Sequence, residues 1–326
     1  MTMLDVRNLT VDFRVDSGWI RSVDDVSFSL DTKSSLGIVG ESGSGKSVTA
    51  LSILRLHAER NTRISGRIDF DGQPLLEMPE KKLRELRGRD IAMIFQDPMH
   101  SLNPVLNIGE QIGETLQIHQ RLDGPAAEKA AISLLDMVRI PDARRRITDY
   151  PHQLSGGMRQ RVMIAMAIAC RPRLLIADEP TTALDVTVQA QILELLRDLR
   201  EEIGMSVILI SHDLGLVAEF AERVLVMYAG ELVEDADART IFRRPAHPYS
   251  EGLLRAIPSA DHDTDRLFAI PGRIPDPGNR PTGCNFAPRC TMAQPSCSAE
   301  PPPLENFASD HRIRCPIRMD ARGTVT

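Results

Sequence analysis

Eight consecutive residues, Gly40-Glu41-Ser42-Gly43-Ser44-Gly45-Lys46-Ser47, fit the pattern G-x-x-x-x-G-K-[ST]. They follow an apolar run, Leu36 to Val39, and precede a stretch of helical character, which is the context the pattern requires. The glycines Gly40, Gly43 and Gly45 let the backbone curl so that successive N–H groups point inward at phosphate oxygens. The helix that follows adds its positive N-terminal end. Lys46 then reaches β and γ phosphates, and the Ser47 hydroxyl ligates Mg2+. A second apolar run, Leu174-Leu175-Ile176-Ala177, ends in the adjacent carboxylates Asp178 and Glu179. Adjacent acids at a buried strand end are costly without cations. Asp178 is therefore expected to hold Mg2+ through water, and Glu179 to polarise an attacking water and accept its proton. A third run, Val207 to Ile210, leads into Ser211-His212-Asp213. A lone histidine is more often structural, but the end of a parallel strand is where sites gather in this architecture, which favours His212 as a contact to the γ phosphate and the water.

The segment Leu154-Ser155-Gly156-Gly157-Met158-Arg159-Gln160-Arg161 opens a further helix. Ser155, Gly156 and Gly157 expose backbone N–H groups at the positive end of its dipole, a second place to grip a γ phosphate. One chain has no need of two such grips on one nucleotide.

The elements that must position these groups are legible as hydrophobic periodicity. Leu4 to Phe13, Val26 to Leu30, and Ile68 to Phe70 before the turn pair Asp71-Gly72 alternate apolar with polar residues, as half-exposed antiparallel strands do. Leu36 to Val39, Leu174 to Ala177 and Val207 to Ile210 are apolar nearly throughout, as strands buried on both faces are. Each precedes a loop and a helical stretch, the order of a parallel α/β sheet. Ala126 to Val138 and Gly157 to Cys170 have helical spacing, so the middle of the chain is expected to be a mainly helical insert. Beyond Arg243 the prolines at 245, 248, 258, 271, 275, 277, 281, 288 and 295 argue against long regular elements and for a loop-rich C-terminal appendage.

Bulk properties remove several alternatives. With 326 residues and 42% hydrophobic content the chain can bury a large core. Thirty-nine basic against 45 acidic residues give a net charge of −6 without a long basic run, so nucleic acid is not expected as a partner. The longest strictly apolar run, Val162 to Cys170, is nine residues, against the roughly 20 of a bilayer span. Met1 to Val11 lacks the basic start and apolar stretch of a signal peptide, so a cytoplasmic location is expected.

These motifs, in this order, resemble the nucleotide-binding subunit of ATP-binding cassette (ABC) transporters, whose signature reads LSGGQ; here Met158 stands where that sequence has Gln. The resemblance covers residues 1 to about 245. It implies a P-loop ABC ATPase of the α/β class, with a RecA-like parallel sheet core, an N-terminal antiparallel β subdomain and a helical subdomain at about 97–170. It makes Gln96 the Q-loop glutamine that senses Mg2+ and the membrane channel, Ala183-Leu184-Asp185 the D-loop at the dimer interface, and His212 the H-switch. It also implies two chains packed head to tail, each ATP lying between one chain's phosphate loop and the other's Ser155 segment. Adenine would stack on an aromatic, Phe13 or Trp19. Asp97-Pro98-Met99-His100-Ser101-Leu102-Asn103-Pro104 and Arg243-Arg244-Pro245-Ala246-His247-Pro248-Tyr249 resemble segments of subunits serving di- and oligopeptide importers, features shared with nickel and glutathione importers. That group implies two transmembrane permease subunits, an extracytoplasmic peptide-binding protein, a second and related ATPase chain, and a peripheral position on the cytoplasmic face of the inner membrane. ABC proteins that act without membrane partners usually carry two cassettes or a long coiled coil, and this chain has neither.

Residues 246–326 then form a peptide-importer extension. Cys284, Cys290, Cys297 and Cys315 lie in it with gaps of five, six and seventeen residues. Structural zinc usually has one closer pair, whereas cubane clusters accept looser spacing. Similar peptide-importer subunits carry a [4Fe-4S] cluster on such a set, so the resemblance implies one here, with zinc or unliganded thiols as alternatives. Cys170 ends an apolar helical run and reads as core.

Overall fold

Leu4 and Val6 point to one face of the first strand, and Leu9 and Val11 continue that face only because the alternation slips by one residue between them. In the computed structural model, which describes residues 1–97, 101–182, 184–257 and 268–317, the slip is a bulge at Asn8, whose φ is +49°. The same slip recurs in the second strand between Val23 and Val26, at Asp25 (φ +49°). Asn8 Nδ2 donates to Asp25 Oδ1 at 2.7 Å. The expectations at Pro98, Met99, His100, Ala183 and Pro258 lie outside the described residues.

The described contacts divide the chain into two units. The first comprises Met1–Leu30, Ser35–Leu76 and Leu209–Thr326, and the second Asp31–Ser34 and Glu77–Ile208. The first unit opens with β1 (Thr2–Val15), β2 (Gly18–Asp31), β3 (Ser35–Val39), α1 (Lys46–Ile53), β4 (Thr62–Phe70) and β5 (Gln73–Pro74). A four-stranded sheet runs β2-β1-β4-β5, with β4 antiparallel to both its neighbours. Asp71 and Gly72, at φ +51° and +73°, make the hairpin turn into β5, as their residue types dictate. The expected strand at Val26 to Leu30 proves to be the end of a longer one, because pairing in the sheet carries β2 through its polar first half.

In the second unit, α2 (Glu80–Leu86) leads to β6 (Ile91–Ile94), then α3 (Ile108–Gln120), α4 (Gly124–Met137), α5 (Ala143–Arg146), α6 (Gly156–Ile168), β7 (Leu174–Asp178) and α7 (Val186–Ile203). A capping box of Asn107 and Glu110 starts α3, and Asp123 caps α4. The helices α3, α4 and α6 pack on one another, and β6 runs parallel to β7. Every residue of β7 is buried, as its unbroken apolar run requires.

β8 (Ser206–Ser211) begins in the second unit and ends in the first. The chain then forms α8 (Leu214–Phe220), β9 (Arg223–Tyr228), β10 (Glu231–Asp237), α9 (Ala238–Arg243), α10 (Pro248–Arg255), β11 (Glu305–Ala308) and β12 (His311–Ile313). Within the first unit the larger sheet is ordered β11-β12-β10-β9-β3-β8, with β3 parallel to β9 and the strands from β9 outward antiparallel. The proline-rich segment is loop-rich, as its composition dictates, but two of its parts are regular. Pro248 occupies the first turn of α10, where a missing N–H costs nothing. β12 pairs with β10 and so ties the segment to the sheet.

Polar contacts complete that attachment. The fully buried Glu234 carboxylate accepts the N–H groups of Ala246 and His247 at 2.7 and 3.0 Å and faces His311 Nε2 at 2.8 Å. Arg314 donates to Leu232 O and Pro302 O, and Asn285 to Glu231 Oε2. Phe286 packs against Tyr228, Tyr249 and His247. Among the described residues no helix is long and apolar enough to cross a membrane.

Candidate functional site

In the first unit, Gly40 to Gly45 bend between β3 and α1 with Gly40, Gly43 and Gly45 at φ +154°, +82° and +100°. A Cβ on Gly40 would lie 2.2 Å from Met227 O, so the position admits no side chain. Lys46 is only 4% exposed, and its Nζ donates to Gly40 O at 2.7 Å and Glu41 O at 3.0 Å. The loop thus closes around its own lysine. Gly45 stands at the start of α1 with no side-chain cap, while Ser42 and Gly43 are exposed, Ser44 is buried, and Ser47 is half-buried in the first turn. A helix start of this kind is arranged to take an anion.

The second unit holds the acidic and amide groups. Asp178, at the end of β7, is 4% exposed. Glu179 follows at φ +46°, a left-handed conformation uncommon for a residue with a side chain and a place where strain is stored. Its Oε2 accepts from Gln96 Nε2 at 3.0 Å and from Thr182 Oγ1 at 2.9 Å. The fold therefore brings Gln96 and Glu179 together, 83 residues apart in sequence. Thr182 escaped the sequence argument; its signal was its place three residues after Glu179, one turn away. The oxygen donors of Ser47, Gln96 and Asp178 are of the hard kind that Mg2+ takes, and a carboxylate buried at a strand end fits a cation.

Ser155 caps α6, its Oγ accepting from Met158 N at 3.3 Å. Ser155 and Gly156 are exposed and Gly157 is half-buried. A Cβ on Gly157 would lie 2.9 Å from Val188 Cγ1, so α7 approaches α6 closely there. Asp185 caps α7 by accepting from Val188 N at 2.9 Å. Back in the first unit, His212 is exposed directly after β8, and Asp213 caps α8 through Gly215 and Leu216 N–H groups. Phe13 is half-buried and meets His57 edge-on with ring centroids 5.1 Å apart, while Arg63 lies 3.8 Å over the Trp19 ring.

The iron–sulfur expectation is corrected. Among the described residues, which include Cys284, Cys290, Cys297 and Cys315, no group of three or more His, Cys, Asp or Glu side chains is placed to hold a metal ion. The four thiols are free of disulfides. Burial pushes the thiols of Cys284 and Cys290 up and that of Cys315 up to about 12, and the neighbouring thiols act in the same direction. The segment is instead held by β12, the Glu234 cluster and its arginines.

Comparison with known proteins agrees with this geometry. Residues 23–182 match the family described as "ABC transporter", and residues 233–297 match "Oligopeptide/dipeptide transporter, C-terminal region". A protein of Brucella abortus (strain 2308) named for peptide import and ATP binding is 62% identical over 323 residues, covering 99% of this chain and 97% of that one. The Dipeptide transport ATP-binding protein DppD of Escherichia coli (strain K12) is 50% identical over 326 residues, all of both chains. Among solved structures, the dimeric post-hydrolysis state of the ATP-binding cassette MJ0796 bound to ADP and Pi superposes with a TM-score of 0.66 at 30% identity, covering 73% of this chain and 99% of that chain.

Proposed function

The chain belongs to the ATP-binding proteins of ABC transporters, and from that premise we propose that it hydrolyses ATP to power the import of di- and oligopeptides. The observation that carries this reading is the presence in one chain of a closed phosphate loop and a C-terminal region of oligopeptide-transporter type. The nucleotide-binding domain spans residues 1–245, with a helical subdomain at about 97–170, and 246–326 is the importer extension.

Gly40 to Ser47 bind the triphosphate: backbone N–H groups and the start of α1 meet its oxygens, and Lys46 exchanges the carbonyls of Gly40 and Glu41 for the β and γ phosphates. Ser47, Gln96 and Asp178 would hold Mg2+, which when bound offsets phosphate charge. Glu179 polarises the attacking water and accepts its proton, and the hydrogen bonds from Gln96 and Thr182 fix its carboxylate for that task. His212 orients the water, and Phe13 or Trp19 supports adenine. Ser155, Gly156 and Gly157 grip the nucleotide held by a second ATPase chain of related sequence, packed head to tail, with Asp185 at the contact. The pair works at the cytoplasmic face of the inner membrane with two permease subunits and an extracytoplasmic peptide-binding protein.

The test is reconstitution of the chain with its membrane subunits and binding protein in vesicles. Peptide-loaded binding protein is expected to stimulate ATP hydrolysis. Glu179→Gln should keep ATP binding while turnover falls by about 10²-fold or more. Stimulation by nickel or glutathione but not by peptides would overturn the cargo assignment, and unchanged turnover in Glu179→Gln would remove that carboxylate from the mechanism.

A further inference from the structure

Glu41 follows the first glycine of the phosphate loop, and two groups from the C-terminal segment hold it. Arg289 grips its carboxylate as a fork, Nη1 to Oε2 at 2.6 Å and Nη2 to Oε1 at 2.9 Å. The Tyr249 hydroxyl, on α10, accepts the Glu41 N–H at 2.8 Å. The carbonyl of the same residue accepts from Lys46 Nζ. Residue 41 therefore links the extension to the lysine that meets phosphates.

The grip is rigid. A guanidinium has five N–H donors, and here each has an acceptor: Nε donates to Pro271 O at 2.8 Å, Nη1 also to the Tyr228 hydroxyl at 3.4 Å, and Nη2 also to Ile270 O at 3.2 Å. The Arg289 side chain is 4% exposed. Tyr249 is fully buried, with ring centroids 4.7 Å from Tyr228 and 5.4 Å from Phe286. A surface arginine could swing away from its partner, but this one is enclosed and saturated. Sequence distance makes the contact informative too: Glu41 and Arg289 are 248 residues apart, so it exists only because the extension folds back onto the loop.

We propose that Arg289 and Tyr249 are positioning residues for the phosphate loop, holding residue 41 so that the loop's N–H groups and Lys46 are arranged in advance for a nucleoside triphosphate. The C-terminal extension is thereby a determinant of ATP affinity. This rests on the assignment of Gly40 to Ser47 to ATP. A loop already ordered does not lose that freedom on binding, and ordering one residue's backbone is worth about tenfold in affinity.

The experiment measures ATP dissociation constants, KM, kcat and Tm for the full-length chain and its variants Arg289→Ala, Arg289→Lys, Tyr249→Phe, Arg289→Ala/Glu41→Ala and Lys46→Ala. Arg289→Ala should weaken ATP binding about tenfold and Tyr249→Phe about threefold, with the change falling on KM more than on kcat. Arg289→Lys, which lacks the fork, should lie between wild type and Arg289→Ala. The double variant should bind ATP no more weakly than Arg289→Ala, because both changes remove one interaction. If Tyr249→Phe and Arg289→Lys bind ATP as wild type does while Tm falls, the contact only holds the fold and the inference is overturned. These two variants keep the ring or the charge, so they decide the matter even if Arg289→Ala does not fold. Lys46→Ala separates the two layers: wild-type affinity there would defeat the ATP assignment itself, whereas its loss beside unaltered Tyr249→Phe and Arg289→Lys defeats only the role of the extension.

Discussion

Glycine stands at the starts of both α1 and α6, for different reasons. At α1 the glycines adopt left-handed or extended positive φ values, a Cβ on the first would strike backbone, and no side chain caps the helix. At α6 the start is conventional: Ser155 caps, and Gly156 and Gly157 are helical residues beneath an exposed surface. The first set of glycines is a requirement of backbone conformation. The second set divides: Gly157 answers the close approach of α7, where a Cβ would lie 2.9 Å from Val188 Cγ1, whereas the fold could accommodate a side chain at Gly156, where a Cβ would meet only Leu184 Cδ2 at an ordinary 3.6 Å. The loop at α1 is fixed by its backbone conformation, and the start of α6 by a side-chain cap and the approach of α7.

The largest test of this contrast is Gly40→Ala. A φ of +154° and a Cβ 2.2 Å from Met227 O should cost at least about 3 kcal/mol, read as a fall in the urea midpoint and in Tm. Near-wild-type stability would mean that the loop at α1 is not conformationally constrained.

A third helix start sharpens the comparison through pH. His247 is the N-cap of α10, its Nδ1 accepting from Tyr249 N at 3.0 Å, and burial pushes its pKa down from the usual 6.5 to about 4 although Glu234 acts the other way. A folded value below the unfolded one means that the native state resists protonation. The contribution is fully present above about pH 6.5 and is lost as pH falls toward 4. Unfolding free energy should drop by about 2 kcal/mol between pH 7.5 and 5 from this group alone. His247→Asn, which keeps an acceptor that does not titrate, should flatten that slope, whereas an unchanged slope would place the proton uptake elsewhere.

The smallest effects belong to α6. Ser155→Ala should cost about 1 kcal/mol, the worth of an N-cap, and Gly156→Ala should leave stability within about 0.5 kcal/mol of wild type. Urea unfolding of both would break the contrast if Gly156→Ala proved as damaging as Gly40→Ala.

Much of the fold was legible because periodicity encodes burial. The three nearly apolar runs became β3, β7 and β8, and the alternating runs at Leu4 to Phe13 and Val26 to Leu30 lie in half-exposed strands, whereas Ile68 to Phe70 is buried throughout because Asp69 is covered as well. The phase slips at Asn8 and Asp25 were not anticipated, since a bulge is set by pairing with a neighbouring strand. The cysteines misled because their spacing along the chain does not set the thiol geometry a metal needs, and no such group forms among the described residues. Pro248 was counted against regular structure, yet it sits at the one helical turn that tolerates proline.

The sequence by itself determined the phosphate loop, the acidic strand end and the capped helix starts, because each is a local arrangement of backbone conformations that a few neighbouring residue types dictate. Only the tertiary structure decided that Gln96 and Thr182 share one oxygen of Glu179, that β12 joins β10, and that Arg289 closes on Glu41. Those contacts join residues from distant parts of the chain or depend on how a loop leaves its strand. Their free energy appears only once topology has brought the partners together and burial has removed the competing water.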